Sequence, residues 1–266
     1  MAIKTVTQGT LEYLAAEGIC APHAFTTRFG GVSEGQFSSL NISMHRGDSA
    51  ENVRKNYAVL AAALGFDTDA LVLTRQIHSD IVRTVTRKDA CGLDHREYPE
   101  CDGLITCEPG TALGIFTADC TPILFHDPVT GAVGAAHAGW RGTAADIAGK
   151  TVQAMVREFG CNPADIRAAI GPNIGQCCFE TDQDVPNALT EAFGNEVRAY
   201  IRPQQNKCYV NLKEVNALAL RRAGVENIEI STACTMCQHD RFWSHRYTRG
   251  DRGSQGAIIV CKEGNV

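Results

Sequence analysis

The most constraining feature of this chain is the stretch TADCTPILFHDPVTGAVGAAHAGWRGT, residues 117–143. It holds two apolar runs, TPILFHD and AVGAAHA, each fit to be a buried strand. Asp127, Pro128 and Gly131 between them supply turn chemistry, so the runs are expected to pair as a hairpin. Cys120 opens the first run and His137 closes the second, and Gly-Trp-Arg-Gly follows at once. Either this is ordinary core that contains a Cys and a His, or it is half of a reactive site.

Around the hairpin, ALVLTRQIH, DIVRTVT, DGLIT and ALGIFTA read as strands. A helix is expected over TAADIAGKTVQAMVREFG, with Thr143 as its N-cap and Gly160 as its stop. IRAAIGP, NIEISTA and GAIIVC read as later strands, with helices over DVPNALTEAFG and NLKEVNALALRRAG, the latter starting after Asn211. Strands early and helices later point to mixed α/β layers, not to a regular βαβ array. The patterning runs from Leu11 to Val260 without a linker or repeat, so residues 1–266 are expected to form one domain.

Composition narrows the function classes. A net charge of -5 argues against a protein built on nucleic-acid phosphate contacts. No apolar run reaches the roughly 20 residues that span a bilayer, and Glu12 and Glu17 interrupt the N-terminal stretch where a signal sequence would be apolar. A cytoplasmic protein without membrane or nucleic-acid partners is expected, as a monomer or small homo-oligomer. Twelve Cys in that setting are expected to be reduced, most of them as small core residues.

Three groups could carry chemistry. His78, Cys120 and His137 end strands beside turns, and two His with one Cys make a three-ligand set of the catalytic zinc type. Their spacing leaves two other readings open: a Cys–His nucleophilic pair without metal, or a buried thiol beside a hydrogen-bonded imidazole. The segment CTMCQHD offers Cys234, Cys237 and His239, but the obvious second pair, Cys177 and Cys178, is adjacent in sequence and suits chelation poorly. Those thiols are therefore read as core and pocket wall. Arginines beside glycines form the third group: Arg28, Arg141, Arg246, Arg249 and Arg252. Arginine with exposed backbone N–H groups holds phosphate or a planar polar ligand, whereas a surface arginine more often pairs with a carboxylate.

An ordered set of segments resembles one family: TTRFGGVSEGQFSSLNIS, GDSAENVRKN, QIHSD, DGLIT, TADCTPILF, AAHAGWRGT, AIGPNIGQCCFE and CTMCQHDRFWSHR. This is the laccase-domain, or multicopper polyphenol oxidase-like, family of purine nucleoside phosphorylases. The resemblance implies a single-domain layered α/β sandwich of mixed β-sheets flanked by helices. It implies Zn2+ held by His78, Cys120 and His137, with Cu2+ and polyphenol oxidation as the alternative attribution. It also implies phosphorolysis of adenosine, inosine, guanosine and methylthioadenosine with inorganic phosphate, and deamination of adenosine. On that reading Arg28 and Arg141 are the expected anion contacts, and Asp102 or Asp119 the candidates to move a proton.

The chain departs from the resembled pattern at three places. Ser79 stands where Gly is more usual after the metal-binding His. Trp243 and His245 vary an aromatic segment. Ser254 occupies the usual position of an arginine, a contact that Arg252 or Arg249 would have to replace.

Overall fold

The computed structural model describes residues 2–93 and 98–262. In chain order its strands are β1 (Ile3–Gln8), β2 (Leu11–Ala16), β3 (His23–Thr26), β4 (Leu71–Val72), β5 (Val82–Thr84), β6 (Gly103–Thr106), β7 (Ala112–Thr117) and β8 (Thr121–His126). They continue as β9 (Val133–Ala138), β10 (Arg167–Ile170), β11 (Glu180–Thr181), β12 (Ile201–Gln204), β13 (Lys207–Val210), β14 (Asn227–Ile230) and β15 (Gln255–Val260). The α-helices are α1 (Ala50–Leu64), α2 (Trp140–Ala144), α3 (Ile147–Phe159), α4 (Asp184–Phe193), α5 (Leu212–Arg222) and α6 (His245–Thr248).

The strands form two six-stranded mixed sheets, ordered β1-β2-β3-β15-β7-β4 and β14-β10-β8-β9-β6-β5, with a small third sheet β11-β13-β12. The period-2 alternation of side chains decides how they stack. In β15, Ala257 and Ile259 face Leu124, Val133 and Ala135 of the other large sheet. Ile258 and Val260 on its opposite face meet Val53, Tyr57 and Leu60 of α1. In β8, Leu124 enters the core between the sheets, while Ile123 and Phe125 pack against Val152 and Met155 of α3 and Val215 and Leu220 of α5. The result is a helix–sheet–sheet–helix sandwich, the mixed layering expected from the sequence. Every residue of β8 and β9 is buried, which is why neither strand shows a polar alternation.

The hairpin forms as expected. Asp127 closes it: Oδ1 accepts from the Val129 amide at 2.8 Å and Oδ2 from the Thr130 hydroxyl at 2.9 Å. Two local expectations need correction. The strand expected over ALVLTRQIH stops at Val72, because the following residues leave the sheet to carry His78. The single helix expected from Thr143 is two helices: α2 already begins at Trp140, and the chain breaks at Asp146. Asp146 sits at φ 60°, and its side chain caps α3 by accepting from the Gly149 amide. Thr143 instead accepts a bond from Asn216 Nδ2 at 3.0 Å, tying α2 to α5.

Candidate active site and metal centre

The register of the hairpin builds half of the site. Thr121 pairs with Ala138 and Pro122 with His137, so Cys120, one residue before β8, lies beside the end of β9. The chain reaches Cys120 through Asp119 at φ 84°, a left-handed conformation that a non-glycine residue keeps only when contacts fix it. Here the Asp119 carboxylate accepts from the Thr235 hydroxyl at 2.6 Å and the Arg246 amide at 2.7 Å.

The other half arrives from the connection between β4 and β5. His78 also has positive φ, at 61°. Asp102, fully buried just before β6, holds that turn: its carboxylate accepts from the amides of Ile77, His78 and Ser79 at 3.2, 3.1 and 2.6 Å. The Ser79 hydroxyl adds a fourth bond at 2.7 Å, which a glycine there could not make. The same carboxylate takes Nδ1 of His137 at 2.8 Å, which leaves Nε2 as the free ring nitrogen.

The ligand atoms of His78, Cys120 and His137 all lie within 4.8 Å of one another, and His78 Nε2 stands 3.9 Å from Cys120 Sγ. Donors at about 2.0–2.3 Å from a tetrahedral zinc stand about 3.3–3.8 Å apart, so a small inward movement of the set would close it on such an ion. Gly139 leaves the space: a Cβ there would lie 2.7 Å from His78 Cδ2 and 3.3 Å from Cys120 Sγ.

Electrostatics points the same way. Burial alone would raise the Cys120 thiol, but the imidazolium of His137 and the bonds from His137 and His78 outweigh it, lowering the thiol to about 6. Burial would lower His137, and the Cys120 thiolate with Asp102 instead raises it to about 9. Without metal, Cys120 and His137 thus form a thiolate–imidazolium pair. For Asp102, burial raises the carboxyl, and the bonds from His137 and Ser79 win, lowering it to about 2. An anionic residue carrying this many bonds positions ligands. The carboxylate of Asp119 is likewise engaged, by the Thr235 hydroxyl and the Arg246 amide.

His78, Cys120 and His137 open onto a cavity of about 430 Å³, walled by Met44, Phe116 and Leu73 and edged by Arg46 and Arg252. Gln76 stiffens one wall by pairing with both backbone groups of Phe116, at 2.7 and 2.6 Å. Arg252 is 8% exposed. Its Nη1 donates to Gly253 O and to the Ser254 hydroxyl, its Nε has no partner, and no described carboxylate lies within ion-pair distance. Burial and the neighbouring charge of Arg46 lower it to about 10. The residue that could replace the arginine missing at Ser254 is therefore Arg252, which rests on Ser254 itself.

The other expected arginines sit elsewhere. The Arg28 guanidinium lies 4.0 Å over the Trp243 ring and donates to the carbonyls of Ser38 and His239. Arg141 is exposed and stacks on Trp140 at 4.1 Å. Neither lines the cavity. Arg246 donates to the carbonyls of Cys178 and Glu180, and Arg249 ends α6. Arg46 stands directly before Gly47, the same arginine-beside-glycine signal as the others, and reaches the cavity although the sequence reading passed over it. The reading of Cys177, Cys178, Cys234 and Cys237 as core and pocket wall also needs correction: only Cys234 is buried, and the four converge although two of them are neighbours in sequence.

Known proteins share this arrangement of chain. A family model described as multi-copper polyphenol oxidoreductase laccase matches residues 22–262. The purine nucleoside phosphorylase YlmD of Geobacillus stearothermophilus is 40% identical over 90% of this chain and 89% of its own length. Adenosine deaminase RL5, from an unknown prokaryotic organism, is 37% identical over 87% of this chain and 90% of its own. The crystal structure of the Geobacillus YlmD superposes with a TM-score of 0.91 at 37% identity, covering 97% of this chain and 99% of that one.

Proposed function

The chain belongs to the multi-copper polyphenol oxidoreductase laccase family, whose relatives above carry enzyme names, and on that premise we propose that it is a zinc-dependent purine nucleoside phosphorylase with adenosine deaminase activity. Its proposed substrates are adenosine, inosine, guanosine and methylthioadenosine, with inorganic phosphate as co-substrate. The observation that carries this reading is one cavity edged both by the His78–Cys120–His137 set and by two arginines without carboxylate partners among the described residues. The cavity has apolar walls for a base and cations for an anion.

His78, Cys120 and His137 would hold the ion, which when bound supplies Lewis acidity next to the substrate. Asp102 keeps the His137 ring oriented and its Nδ1 occupied, so that the remaining nitrogen faces the ligand set. Phe116 and Met44 offer apolar faces to a purine and exclude water from it. Arg252 and Arg46 would hold phosphate through charge-assisted bonds and aim an oxygen at the anomeric carbon. As that oxygen bonds to the carbon, the glycosidic bond breaks. Its electron pair leaves with the purine, which takes up the proton that the hydrogen phosphate gives up, leaving free base and the sugar 1-phosphate.

The deciding experiment incubates purified protein of measured metal content with adenosine, with and without phosphate. Adenine and ribose 1-phosphate formed only with phosphate support phosphorolysis, and inosine supports deamination. If Cys120→Ala retains both activities, the assignment of the metal set fails. Copper in place of zinc, with oxidation of a polyphenol and no purine turnover, would favour the oxidase reading.

A further inference from the structure

We infer that Cys177, Cys178, Cys234 and Cys237 form a second metal site, a structural tetrathiolate that takes one zinc ion. The four sulfurs lie within 4.8 Å of one another, with Cys237 Sγ 3.5 Å from Cys177 Sγ and 3.3 Å from Cys178 Sγ. Thiolates at about 2.3 Å from a tetrahedral zinc stand about 3.8 Å apart, so the set is already near its bound spacing. It leaves room for one ion and not for a cluster of irons and sulfides.

Three independent features surround the set as they would an anionic site. The Gly175 amide donates to Cys234 Sγ at 3.1 Å, and the Cys237 amide bonds the same sulfur. Gly175 also makes the space, since a Cβ there would stand 3.2 Å from Cys177 Sγ and 3.4 Å from Cys234 Sγ. Lys213, 7% exposed, donates only to the carbonyls of Ser231 and Ala233, with no described carboxylate in ion-pair reach. Held on the carbonyl of Ala233, one residue before Cys234, a buried ammonium offsets part of the negative charge that a tetrathiolate carries.

The site has a place in the fold. The turn after β10 and the turn after β14 supply two thiols each, and a bridge between Asn173 and Cys234 joins them. Both turns hold Asp119: the Ile174 amide donates to its carbonyl at 3.0 Å and the Thr235 hydroxyl to its carboxylate. One ion would therefore brace the segment that leads into Cys120. Loading it exchanges thiol protons for metal–sulfur bonds. The protons go to solvent and no electron moves.

The test uses the full chain, purified under reductant, with Co2+ as the spectroscopic probe and zinc measured by elemental analysis. Wild type and Cys120→Ser should both show the intense visible bands of four-sulfur cobalt, and Cys178→Ser/Cys237→Ser should lose them. That double variant should also hold one zinc per chain fewer than wild type, whatever the occupancy of the His78–Cys120–His137 set. Absence of the bands in wild type overturns the proposal even if the double variant does not fold. So does an unchanged zinc content in the double variant, or a Cys178–Cys237 disulfide in the reductant-purified protein.

Discussion

Oδ1 of Asp102 stands 2.8 Å from Nδ1 of His137, and the same carboxylate closes the backbone turn that carries His78. One buried anion thus sets the orientation of two side chains of the candidate metal set from distant parts of the chain. Asp102→Asn keeps the shape but puts an NH2 where an acceptor is needed. Zinc affinity should fall about 10- to 100-fold, the usual effect of losing such a partner. Competition with a calibrated chelator measures it. Unchanged affinity would mean that packing alone orients His137.

Gly139→Ala tests the space between the ligands without removing any of them. The new Cβ would press on His78 Cδ2 at 2.7 Å, with Cys120 Sγ 3.3 Å away. The His78 ring must turn, so metal content and activity should fall together, with affinity lowered at least about tenfold. Elemental analysis of the folded variant checks this.

Arg252 separates the two proposed activities. In Arg252→Ala the kcat/KM for phosphate in phosphorolysis should drop about 100-fold, the effect of losing roughly 3 kcal/mol of charge-assisted hydrogen bonding. Deamination of adenosine, which uses no phosphate, should change less than about fivefold. Arg252→Lys should recover only part of the loss, because an ammonium lacks the planar fork of donors. Steady-state kinetics with phosphate as the varied substrate gives the answer. An equal fall in both activities would assign Arg252 to the nucleoside instead.

His126 makes the fold sensitive to mild acid. The ring is buried at the end of β8, its Nδ1 without a partner. Burial and the charge of Arg167 lower its pKa from 6.5 to about 4. Above pH 6.5 the ring is neutral folded and unfolded, and nothing is lost. Below 6.5 the unfolded chain takes the proton first, so stability declines until the folded ring titrates near 4. The full loss is roughly 3 kcal/mol. Urea unfolding at pH 7 and pH 4.5 measures it, and His126→Gln should flatten that part of the profile.

Much of this was legible in the order of residues. The hairpin around Asp127, the cap of α5 at Asn211 and the stop of α3 at Gly160 follow from local chemistry, because turns and caps are satisfied within a few residues. His78, Cys120 and His137 could be named because strand ends beside turns are where a rigid sheet presents side chains. The break at Asp146 was not legible, since continuous helix pattern and a left-handed cap look alike until the neighbouring helix is in place.

What only the tertiary structure decided is which groups meet. Cys177 and Cys178 look unsuited to chelation as neighbours in sequence, yet two turns from separate strands bring Cys234 and Cys237 onto them. Arg28 and Arg141 look like anion contacts beside their glycines, but aromatic rings take both, while Arg46 and Arg252 reach the cavity. Asp102 reads as a possible proton carrier, and four bonds from the His78 turn and one from His137 make it a fixed anion instead. Sequence determines which side chains are available and how each element begins and ends. Long-range packing alone sets the distances between them, and charge and metal affinity depend on those distances.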